Sequence, residues 1–326
     1  MLQIISNSNE TSTGPELVQN GNFLGVTQLV VDGDFPLPNV DWITAASTTI
    51  NGGSATFEGL GIASPYTGIL NTYSGASAAF SLRLLDNTFS GSAIRVRRSS
   101  DNAEQNIGFV NNVLDTASLE SFCSATNGYV TTWYDQSGSA NNATNTTAAD
   151  QPQIVSSGST ILENGKPAIK YDGLGDELEI GSQLNLGAEF FVPFVYKSNR
   201  TSGSDYVLSS VSPNSSRFRL YDNQARVYVN NVSYRFNSTN NHGTQYLWLS
   251  EADSSNDLII YRNGYALGAT QAIPSTDDFL INFVGYSGSA SFMVDGLMQE
   301  IIFYPQDESS NRSGIQTNIN DFYSIY

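Results

Sequence analysis

The sequence predicts an all-β protein in which many short strands pack as a sandwich or barrel. Short stretches rich in Val, Ile, Leu, Tyr and Phe recur along the chain, and clusters of Gly, Asn, Asp, Ser or Pro bound each of them. They recur about every 8–12 residues, a spacing typical of antiparallel sandwiches and barrels. Of the 326 residues, 40% are hydrophobic and only 14% are charged. Polar turns between strands explain this composition, and a helical bundle does not.

The chain begins with a polar segment that contains a short internal repeat. Residues 16–23 read ELVQNGNF, and residues 28–35 read QLVVDGDF. Each is a β-type run that ends in an Asn-Gly or Asp-Gly turn signal and a Phe. We therefore predict two parts, an N-terminal anchoring segment of short strands over residues 1–72 and one large β domain over residues 73–326.

The β domain is predicted to hold a regular series of strands and two short helices. One helix spans residues 115–123, with Asp115 as its N-cap. The other lies at the C-terminus and buries Ile315, Ile319 and Phe322. Strands are predicted at Gln153–Val155, Pro167–Tyr171, Phe190–Tyr196, Tyr206–Ser210, Phe218–Tyr221, Arg226–Val229, Tyr246–Ser250, Asp257–Arg262, Phe279–Gly285 and Gln299–Tyr304.

The chain is strongly acidic, with a formal charge of −17 and only three lysines. This charge repels phosphate backbones, so we predict no nucleic-acid partner. Acidic loops would suit calcium, whose ligands are oxygen atoms, although net charge is mainly a matter of solubility. We therefore assign no cofactor and no metal site, and calcium is the one ion left open.

Cys123 and His242 are the only cysteine and the only histidine. One cysteine allows no intrachain disulfide, and one histidine excludes a zinc site built on several histidines. A Ser–His–Asp triad would depend on His242, which lies in an Asn-rich turn. The sequence therefore gives little support to either chemistry.

The start of the chain bears on where the protein works. MLQIISNSNETS has neither the basic nor the apolar region of a signal peptide, and no apolar run approaches the length of a membrane span. The polar, turn-rich composition is nevertheless typical of extracellular proteins. Two expectations reconcile these observations: a virion protein made in a host cytoplasm and released by lysis, or export by a non-classical route.

Three segments resemble the concanavalin A-like (laminin G-like) jelly roll. Residues 166–180, KPAIKYDGLGDELEI, resemble its strand–Asp-Gly–strand signature. Residues 257–268, DLIIYRNGYALG, resemble its Asn-Gly hairpin, and residues 291–306, SFMVDGLMQEIIFYPQ, resemble its closing strand. The resemblance implies a concanavalin A-like jelly-roll β-sandwich, to which the N-terminal segment adds an extension of short strands.

Two further segments are more specific. Residues 92–109, SAIRVRRSSDNAEQNIGF, and residues 131–142, TTWYDQSGSANN, resemble the catalytic domain of the fungal type B α-L-arabinofuranosidases. Phage and marine sequences share this domain, and the similarity extends over residues 73–326. For the enzymes, the resemblance implies retaining hydrolysis by a nucleophile and a general acid/base about 5–5.5 Å apart.

The resemblance also implies that this chain has lost the catalytic positions. The nucleophile glutamate aligns within RFRLYD, where the chain has Arg219, and the acid/base aspartate aligns within FVGY, at Tyr286. The vicinal disulfide that lines the sugar pocket of the enzymes cannot form with one cysteine. We therefore assign no catalytic residue. Asp222 and Asp295 are the carboxylates that could stand in.

The segment 131–142 supplies the candidate ligand contacts, which are Trp133, Asp135, Asn141 and Asn142. Trp133, like Trp42 and Trp248, could offer its ring to a sugar, although a position inside a predicted strand favours core packing. Asp135 could contact a ligand or calcium. The alternative is a turn in which its carboxylate accepts hydrogen bonds from backbone N–H groups. The two asparagines could serve either purpose.

The strand AIRVRR, residues 93–98, carries a basic run formed by Arg95, Arg97 and Arg98. Its arginines could clamp a substrate carboxylate. Because Arg95 and Arg97 share one strand face, pairing with the nearby Asp101 and Glu104 is the preferred interpretation.

Taken together, these features predict a non-enzymatic phage virion protein, either a capsid decoration or a tail-associated component. Its jelly roll would face outward and contact host-surface glycans. Its N-terminal segment would dock to other virion proteins by strand addition. We expect a homo-oligomer, with a trimer favoured, on the virion surface and without membrane insertion. The alternatives are a retaining glycoside hydrolase acting on surface polysaccharide and a secreted bacterial carbohydrate-binding adhesin module.

Overall fold

The computed structural model describes residues 47–51, 54–58, 66–210, 215–285 and 293–326, and for the first two segments it describes the strands alone. The chain divides into two compact units, Met1–Tyr66 and Thr67–Tyr326. In the first unit, β1 (Ser47–Asn51) and β2 (Ser54–Glu58) pair as an antiparallel hairpin. The internal repeat, Trp42 and Tyr286 lie outside the described residues.

The second unit is built almost wholly of short strands. Its first half contains, in order, α1 (Ile69–Thr72), β3 (Ala78–Ser81), β4 (Ile94–Arg98), β5 (Glu104–Ile107), β6 (Phe109–Val110), β7 (Val113–Leu114), α2 (Thr116–Cys123), β8 (Gly128–Trp133), β9 (Ala143–Thr144), a 3₁₀ turn (Ala148–Asp150), β10 (Gln153–Ser156), β11 (Ser159–Thr160), β12 (Leu162–Glu163), β13 (Lys166–Pro167) and β14 (Ile169–Asp172). Its second half contains β15 (Leu178–Asn185), β16 (Phe190–Ser198), β17 (Ser204–Ser209), β18 (Arg217–Tyr221), β19 (Gln224–Val229), β20 (Val232–Asn237), β21 (Gln245–Ala252), β22 (Asp257–Arg262), β23 (Tyr265–Ala266), β24 (Gln271–Ala272), β25 (Leu280–Val284), β26 (Asp295–Phe303) and α3 (Arg312–Tyr323).

The strands form an antiparallel β-sandwich, so the predicted all-β jelly-roll fold is confirmed. One layer runs β22–β21–β16–β26–β14–β10–β8–β4–β5, with β3 beside β26. The other runs β9–β15–β25–β17–β18–β19–β20, and the pairing of β8 with β9 joins the two layers. Each strand predicted within the β domain overlaps a strand of the structure. From β15 onward, the list of predicted strands omitted β15, β20 and the two-residue strands β23 and β24.

Aromatic side chains fill the space between the two layers. The ring centroid of Phe218, on β18, lies 4.8 Å from that of Phe194 and 5.9 Å from that of Trp248, both at near-perpendicular angles. Because side chains alternate along a strand, the residues on either side of Phe218 must point away from this core. The outer face of β17–β20 therefore takes no part in this core.

Helices α1 and α3 pack on the outer side of the first layer, away from the main core. Ile69 and Leu70 of α1 lie in one buried cluster with Ile315 and Ile319 of α3. The packing of α1 explains why the boundary between the two units precedes it, whereas the sequence analysis ended the N-terminal segment at residue 72. Helix α2 begins as predicted, because Asp115 accepts a hydrogen bond from the N–H of Ser118. Among the helices of the described residues, none has the length and apolar character needed to span a membrane.

Candidate functional site

The outer face of β17–β20 carries a dense group of arginines and tyrosines. We call it the arginine–tyrosine face and define it by Tyr206, Arg217, Arg219, Tyr221, Arg226, Tyr228 and Arg235. On β18 and β19 the intervening residues are apolar and buried, for example Leu220 and Val227. The alternation along these two strands separates an apolar inner face from a cationic outer face.

The strand register lines up three arginines side by side. Arg219 on β18 lies opposite Arg226 on β19, and Arg226 lies opposite Arg235 on β20. Tyr206 on β17 continues the row beyond Arg219. Side chains at such positions are direct neighbours, and like charges there are destabilising. The row is therefore a local arrangement that stability alone does not favour.

Tyrosine rings hold the guanidinium groups in fixed orientations. The Arg219 guanidinium lies 4.4 Å from the ring centroid of Tyr206 and 4.0 Å from that of Tyr221. Arg226 also lies 4.0 Å from the Tyr221 ring, and Arg217 lies 4.2 Å from the Tyr228 ring. Cation–π attraction at these distances offsets part of the repulsion between neighbouring arginines.

Hydrogen bonds add to this order. Arg219 donates to the Tyr206 hydroxyl at 2.8 Å and to Ser204 Oγ at 2.9 Å. Arg226 donates through both Nε and Nη2 to the amide oxygen of Gln224, at 2.9 and 2.7 Å. Burial increases along the row, because Arg235 is exposed, Arg226 is half-buried and Arg219 is buried. The face thus runs from an open edge to a sheltered interior.

The arginines also change the acidity of a tyrosine on the face. Burial of Tyr228 opposes its ionisation. Its hydrogen bonds with Tyr221, Arg226 and Ser233, together with the charge of Arg226, outweigh that effect and lower its pKa to about 8. Burial and the hydrogen bond to Tyr228 raise the pKa of Tyr221 to about 12. The two phenols therefore behave as one donor and one acceptor.

A groove adjoins the exposed edge of this face. It has a volume of about 570 Å³ and lies between Arg235, Phe236 and Asn237 of β20 and residues 266–271. This volume is within the usual range for small-ligand pockets. Arg235 therefore belongs both to the arginine–tyrosine face and to the groove.

The structure uses the predicted ligand contacts of segment 131–142 to build a turn. Asp135 is buried, and its Oδ1 accepts hydrogen bonds from the N–H groups of Ala79 and Ser137, both at 2.8 Å. Its Oδ2 accepts from Ser137 Oγ and from the N–H of Asn141, both at 2.9 Å. All four donors come from the protein itself, so the carboxylate acts as the centre of an Asx-type turn.

The other three residues of that set also face the protein. Asn142 Oδ1 accepts from the N–H of Asp135 at 3.0 Å, and Asn141 Nδ2 donates to the Ser77 carbonyl at 2.8 Å. Trp133 is fully buried and packs on Phe80. Its ring has no exposed surface on which a sugar could stack, and the same is true of Trp248.

The two stand-in carboxylates, Asp222 and Asp295, are linked only indirectly. Asp222 Oδ1 lies 3.1 Å from His242 Nε2, and His242 Nδ1 lies 2.8 Å from Ser198 Oγ. Ser198 donates to Asp205 at 2.6 Å, and Asp205 in turn accepts from the N–H of Asp295. His242, Ser198 and Asp205 therefore intervene between the Asp222 carboxylate and the backbone N–H of Asp295.

This chain brings together a serine, the single histidine and an aspartate, yet it does not form a nucleophilic triad. Ser198 is 1% exposed, and its hydroxyl proton is directed to Asp205. The histidine contacts the hydroxyl through Nδ1 and the aspartate through Nε2. A buried serine that already donates to a carboxylate cannot attack a substrate, because its proton is not held by the base.

A second cleft, of about 500 Å³, lies near the 3₁₀ turn and is lined in part by Arg97, Lys170, Asp172 and Asp176. Burial, and next the charge of Asp172, raise the pKa of Asp176 to about 7. Asp176 Oδ2 accepts from the N–H of Asp172 at 2.9 Å, which braces the turn after β14. No group of three metal-ligating side chains occurs within the ranges that the structure describes.

The predicted local pairing holds for Arg95, whereas Arg98 and not Arg97 takes the second carboxylate. Arg95 Nε lies 2.6 Å from Glu104, and Arg98 Nη2 lies 2.7 Å from Asp101. Arg97 bonds to Gln151 and Asn102 instead. These bonds make the cluster part of the β4 surface and not a free clamp.

The comparisons agree with this fold. The catalytic-domain model of α-L-arabinofuranosidase B matches residues 71–172 of the chain. A GH54 α-L-arabinofuranosidase soaked with a cyclic sulfate inhibitor has a TM-score of 0.60 at 17% identity. A glutamate-to-glutamine mutant of a GH54 α-L-arabinofuranosidase, soaked with 4-nitrophenyl α-L-arabinofuranoside, has a TM-score of 0.59 at 16% identity.

Each alignment covers 75% of this chain and 62% of the solved chain, so this chain spans less than two thirds of the length of those enzymes. No curated protein matches the sequence. At this identity the likeness establishes the fold: the second unit has the arabinofuranosidase-like jelly roll.

The sequence pointed to Arg219 as a departure from the enzymes, but the face around Arg219 was not predicted. The signal was present, because arginine or tyrosine recurs at every second position in RFRLY and in ARVYV. The strand β20, which contributes Arg235, was not predicted. Without that strand the row of three arginines cannot be seen.

Proposed function

We propose that the second unit is a non-hydrolytic, carbohydrate-binding jelly roll of a phage virion protein. The observation that carries this proposal is Arg219, which stands where the family resemblance implies a nucleophile glutamate. Its guanidinium is stacked between Tyr206 and Tyr221. A guanidinium stays protonated at neutral pH and can serve neither as a nucleophile nor as a general acid. Retaining hydrolysis needs two carboxyl groups facing one sugar.

The fold is compatible with binding in the absence of chemistry. Jelly rolls of this kind carry both enzymes and binders, so function follows from the residues on the ligand-facing sheet. On β17–β20, that sheet presents arginines and tyrosines, whose guanidinium groups and phenol hydroxyls provide hydrogen-bond donors. Such side chains suit recognition of a hydroxylated ligand.

The virion setting is the second part of the proposal. The domain resembles one found in phage sequences, and the N-terminal unit contains a hairpin, β1–β2, whose strands pair only with each other among the described residues. The edges of such a hairpin can accept a strand from a partner. We propose that this unit docks to capsid or tail proteins and that the protein is a homo-oligomer, with a trimer favoured, on the virion surface.

The alternative with specific support is a retaining glycoside hydrolase, because the arabinofuranosidase model matches residues 71–172. One assay separates the two. The full chain is incubated with 4-nitrophenyl α-L-arabinofuranoside, and we expect no release of 4-nitrophenol above buffer. Release that disappears in Asp222→Asn, Asp295→Asn or Asp176→Asn would overturn the non-hydrolytic proposal and identify the carboxylates responsible.

The setting is tested separately on particles. Phage particles that encode this chain are purified through a density gradient, and their proteins are quantified by mass spectrometry. We expect the chain in a fixed stoichiometric ratio to the major capsid or tail protein. A chain found only in the soluble lysate, or only in the medium of uninfected bacteria, would favour the secreted adhesin.

A further inference from the structure

We propose that the arginine–tyrosine face is the ligand site of this jelly roll and that it selects anionic sugars, whose carboxylate or sulfate groups bind the row of guanidinium groups. The inference rests on the carbohydrate-binding function proposed above and specifies the class of glycan. It concerns the charge of the ligand, which the family resemblance does not supply.

Positive charge is concentrated on this face. The chain has a net charge of −17 and eleven arginines. Four of these arginines project from the outer face of three consecutive strands, and three of the four occupy directly opposed positions. A sheet surface in an acidic protein has no folding reason to collect like charges, because directly opposed like charges are destabilising. Conflicts of this kind are expected at functional sites.

Three arginines of the face have no carboxylate partner among the described residues. Elsewhere in the described residues, most arginines are ion-paired, namely Arg83, Arg95, Arg98, Arg200 and Arg312. On the face, Arg217, Arg226 and Arg235 make no ion pair with any residue that the structure describes. Arg217 Nε is buried and has no hydrogen-bond partner there. An anion brought by a ligand would supply the missing charge.

The guanidinium groups are held in place before a ligand binds. The guanidinium groups of Arg217, Arg219 and Arg226 lie against tyrosine rings. Gln224 also holds two nitrogens of Arg226. The remaining N–H groups lie in the plane of the guanidinium, which is the geometry that carboxylate and sulfate oxygens accept best. Side chains already fixed in place lose little further entropy on binding.

A polymer can reach the row of arginines from its exposed end. The row opens at Arg235 into the groove of about 570 Å³ lined by residues 266–271. A chain of sugars can lie in this groove with a substituent directed to Arg235 and the next to Arg226. The groove also supplies neutral partners, such as the amide of Asn237, for sugar hydroxyls.

The same geometry argues against a nucleic acid. Proteins that hold single strands stack the bases on open aromatic faces. Here arginines already cover the rings of Tyr206, Tyr221 and Tyr228. The net charge of −17 also repels a continuous polyphosphate. A saccharide needs only isolated anionic groups on a neutral ring.

The test uses the full chain and four probes: polygalacturonate as the carboxylate source, dextran sulfate as the sulfate source, neutral dextran, and a single-stranded DNA oligonucleotide. Affinity is measured by biolayer interferometry at low and at physiological ionic strength. We expect binding to at least one anionic polysaccharide, weakening as salt rises, and no binding to dextran. Which anionic polymer binds distinguishes a carboxylate from a sulfate ligand.

Variants locate the site. Arg235→Gln and Arg226→Gln each lower the affinity about tenfold, because each removes a charge-assisted hydrogen bond. Arg226→Lys keeps the charge but loses the planar fork, so it restores only part of the affinity. Arg95→Gln removes the same charge from the exposed surface of β4 and leaves affinity within about twofold, since surface charges contribute little at a distance. Circular dichroism checks that each variant folds.

Each other outcome overturns the inference. Binding to dextran alone would refute the anionic selection while carbohydrate binding stands. Anionic binding that Arg226→Gln and Arg235→Gln leave intact would place the site elsewhere. Tighter binding of DNA than of either polysaccharide would replace the ligand class. If no polysaccharide binds the folded protein, the carbohydrate-binding function itself fails with it.

Discussion

Replacement of Asp135 tests whether segment 131–142 serves architecture or ligand binding. The carboxylate accepts four hydrogen bonds at 2.8–2.9 Å, three of them from backbone N–H groups. Asp135→Ala removes every acceptor while the donor of Ala79 stays buried. A buried donor left without a partner costs about 1–3 kcal/mol. With part of the turn free to reach water, we expect a loss of about 3–6 kcal/mol in the free energy of unfolding.

The isosteric variant refines the argument. Asp135→Asn keeps one oxygen, and its NH₂ group must face two donors that previously met the other oxygen. We expect a loss of about 2–4 kcal/mol. The matched control is Asp86→Ala. Asp86 also accepts from the N–H and hydroxyl of a residue two positions on, Thr88, but in an exposed turn. Because water can replace that carboxylate, we expect a loss of about 1 kcal/mol or less.

The assay is urea denaturation followed by tryptophan fluorescence, combined with polysaccharide binding. The order of stability should be wild type, Asp86→Ala, Asp135→Asn and Asp135→Ala. The reasoning fails if Asp135→Ala unfolds within about 1 kcal/mol of wild type. It fails differently if that variant is as stable as wild type but no longer binds polysaccharide, since Asp135 would then be a ligand contact.

Three further predictions concern buried charge and titration. Glu300→Gln should lower the free energy of unfolding by about 3–5 kcal/mol, because it leaves the buried Arg83 guanidinium without its anion. The two side chains contact each other at 2.7 and 2.9 Å. A loss below about 1 kcal/mol in urea denaturation would contradict this expectation. Burial raises the pKa values of Asp176 and Glu177 to about 7. Their folded pKa values exceed the unfolded ones, so the stabilisation is complete below about pH 4 and is lost as pH rises through about 7. The thermal midpoint should therefore fall over this range, and less steeply in Asp176→Asn; an equal slope would count against the assignment. Ultraviolet titration should reveal one tyrosine that ionises near the pKa of about 8 of Tyr228. That signal should vanish in Tyr228→Phe, and its persistence would assign it to another tyrosine. Tyr228 faces Arg217 and Tyr221 on β18, Arg226 on β19 and Ser233 on β20, so its ionisation should also weaken anion binding above that pH.

The ion pair of Arg83 and Glu300 illustrates the limits of reading contacts from a sequence. The two residues are 217 positions apart and meet beneath α3, where Tyr323 and Ser81 complete the hydrogen bonds of Glu300. Nothing in the local pattern of either segment announces this pairing. It follows from the antiparallel pairing of β26 with β3.

Local chemistry was sufficient for much of the fold. The alternation of apolar and polar residues predicted the strands, and the side chain of Asp115 predicted the start of α2. The segment TTWYDQSGSANN likewise predicted its own turn, because Asp135 accepts hydrogen bonds from Ser137 and Asn141 within the segment. These features depend on neighbours in sequence, so a sequence can determine them. The bond from the Ala79 N–H to Asp135 comes from a residue 56 positions away, and only the tertiary structure shows it.

The arginine–tyrosine face depends both on local sequence and on tertiary structure. The turn between β19 and β20 holds Asn230 and Asn231 at positive φ, 48° and 67°, which is typical of a two-residue hairpin turn. That turn fixes the register of β20 against β19, and a slip of one residue in β20 would send Arg235 to the core side of the sheet. The sequence alone determined a jelly roll, its helix cap and its Asx turn. Only the tertiary structure decided that Arg219, Arg226 and Arg235 form one row and that Arg235 also lines a groove. It also decided that His242, Ser198 and Asp205 stand between Asp222 and Asp295 in a chain of hydrogen bonds, because strand register and long-range packing set these contacts.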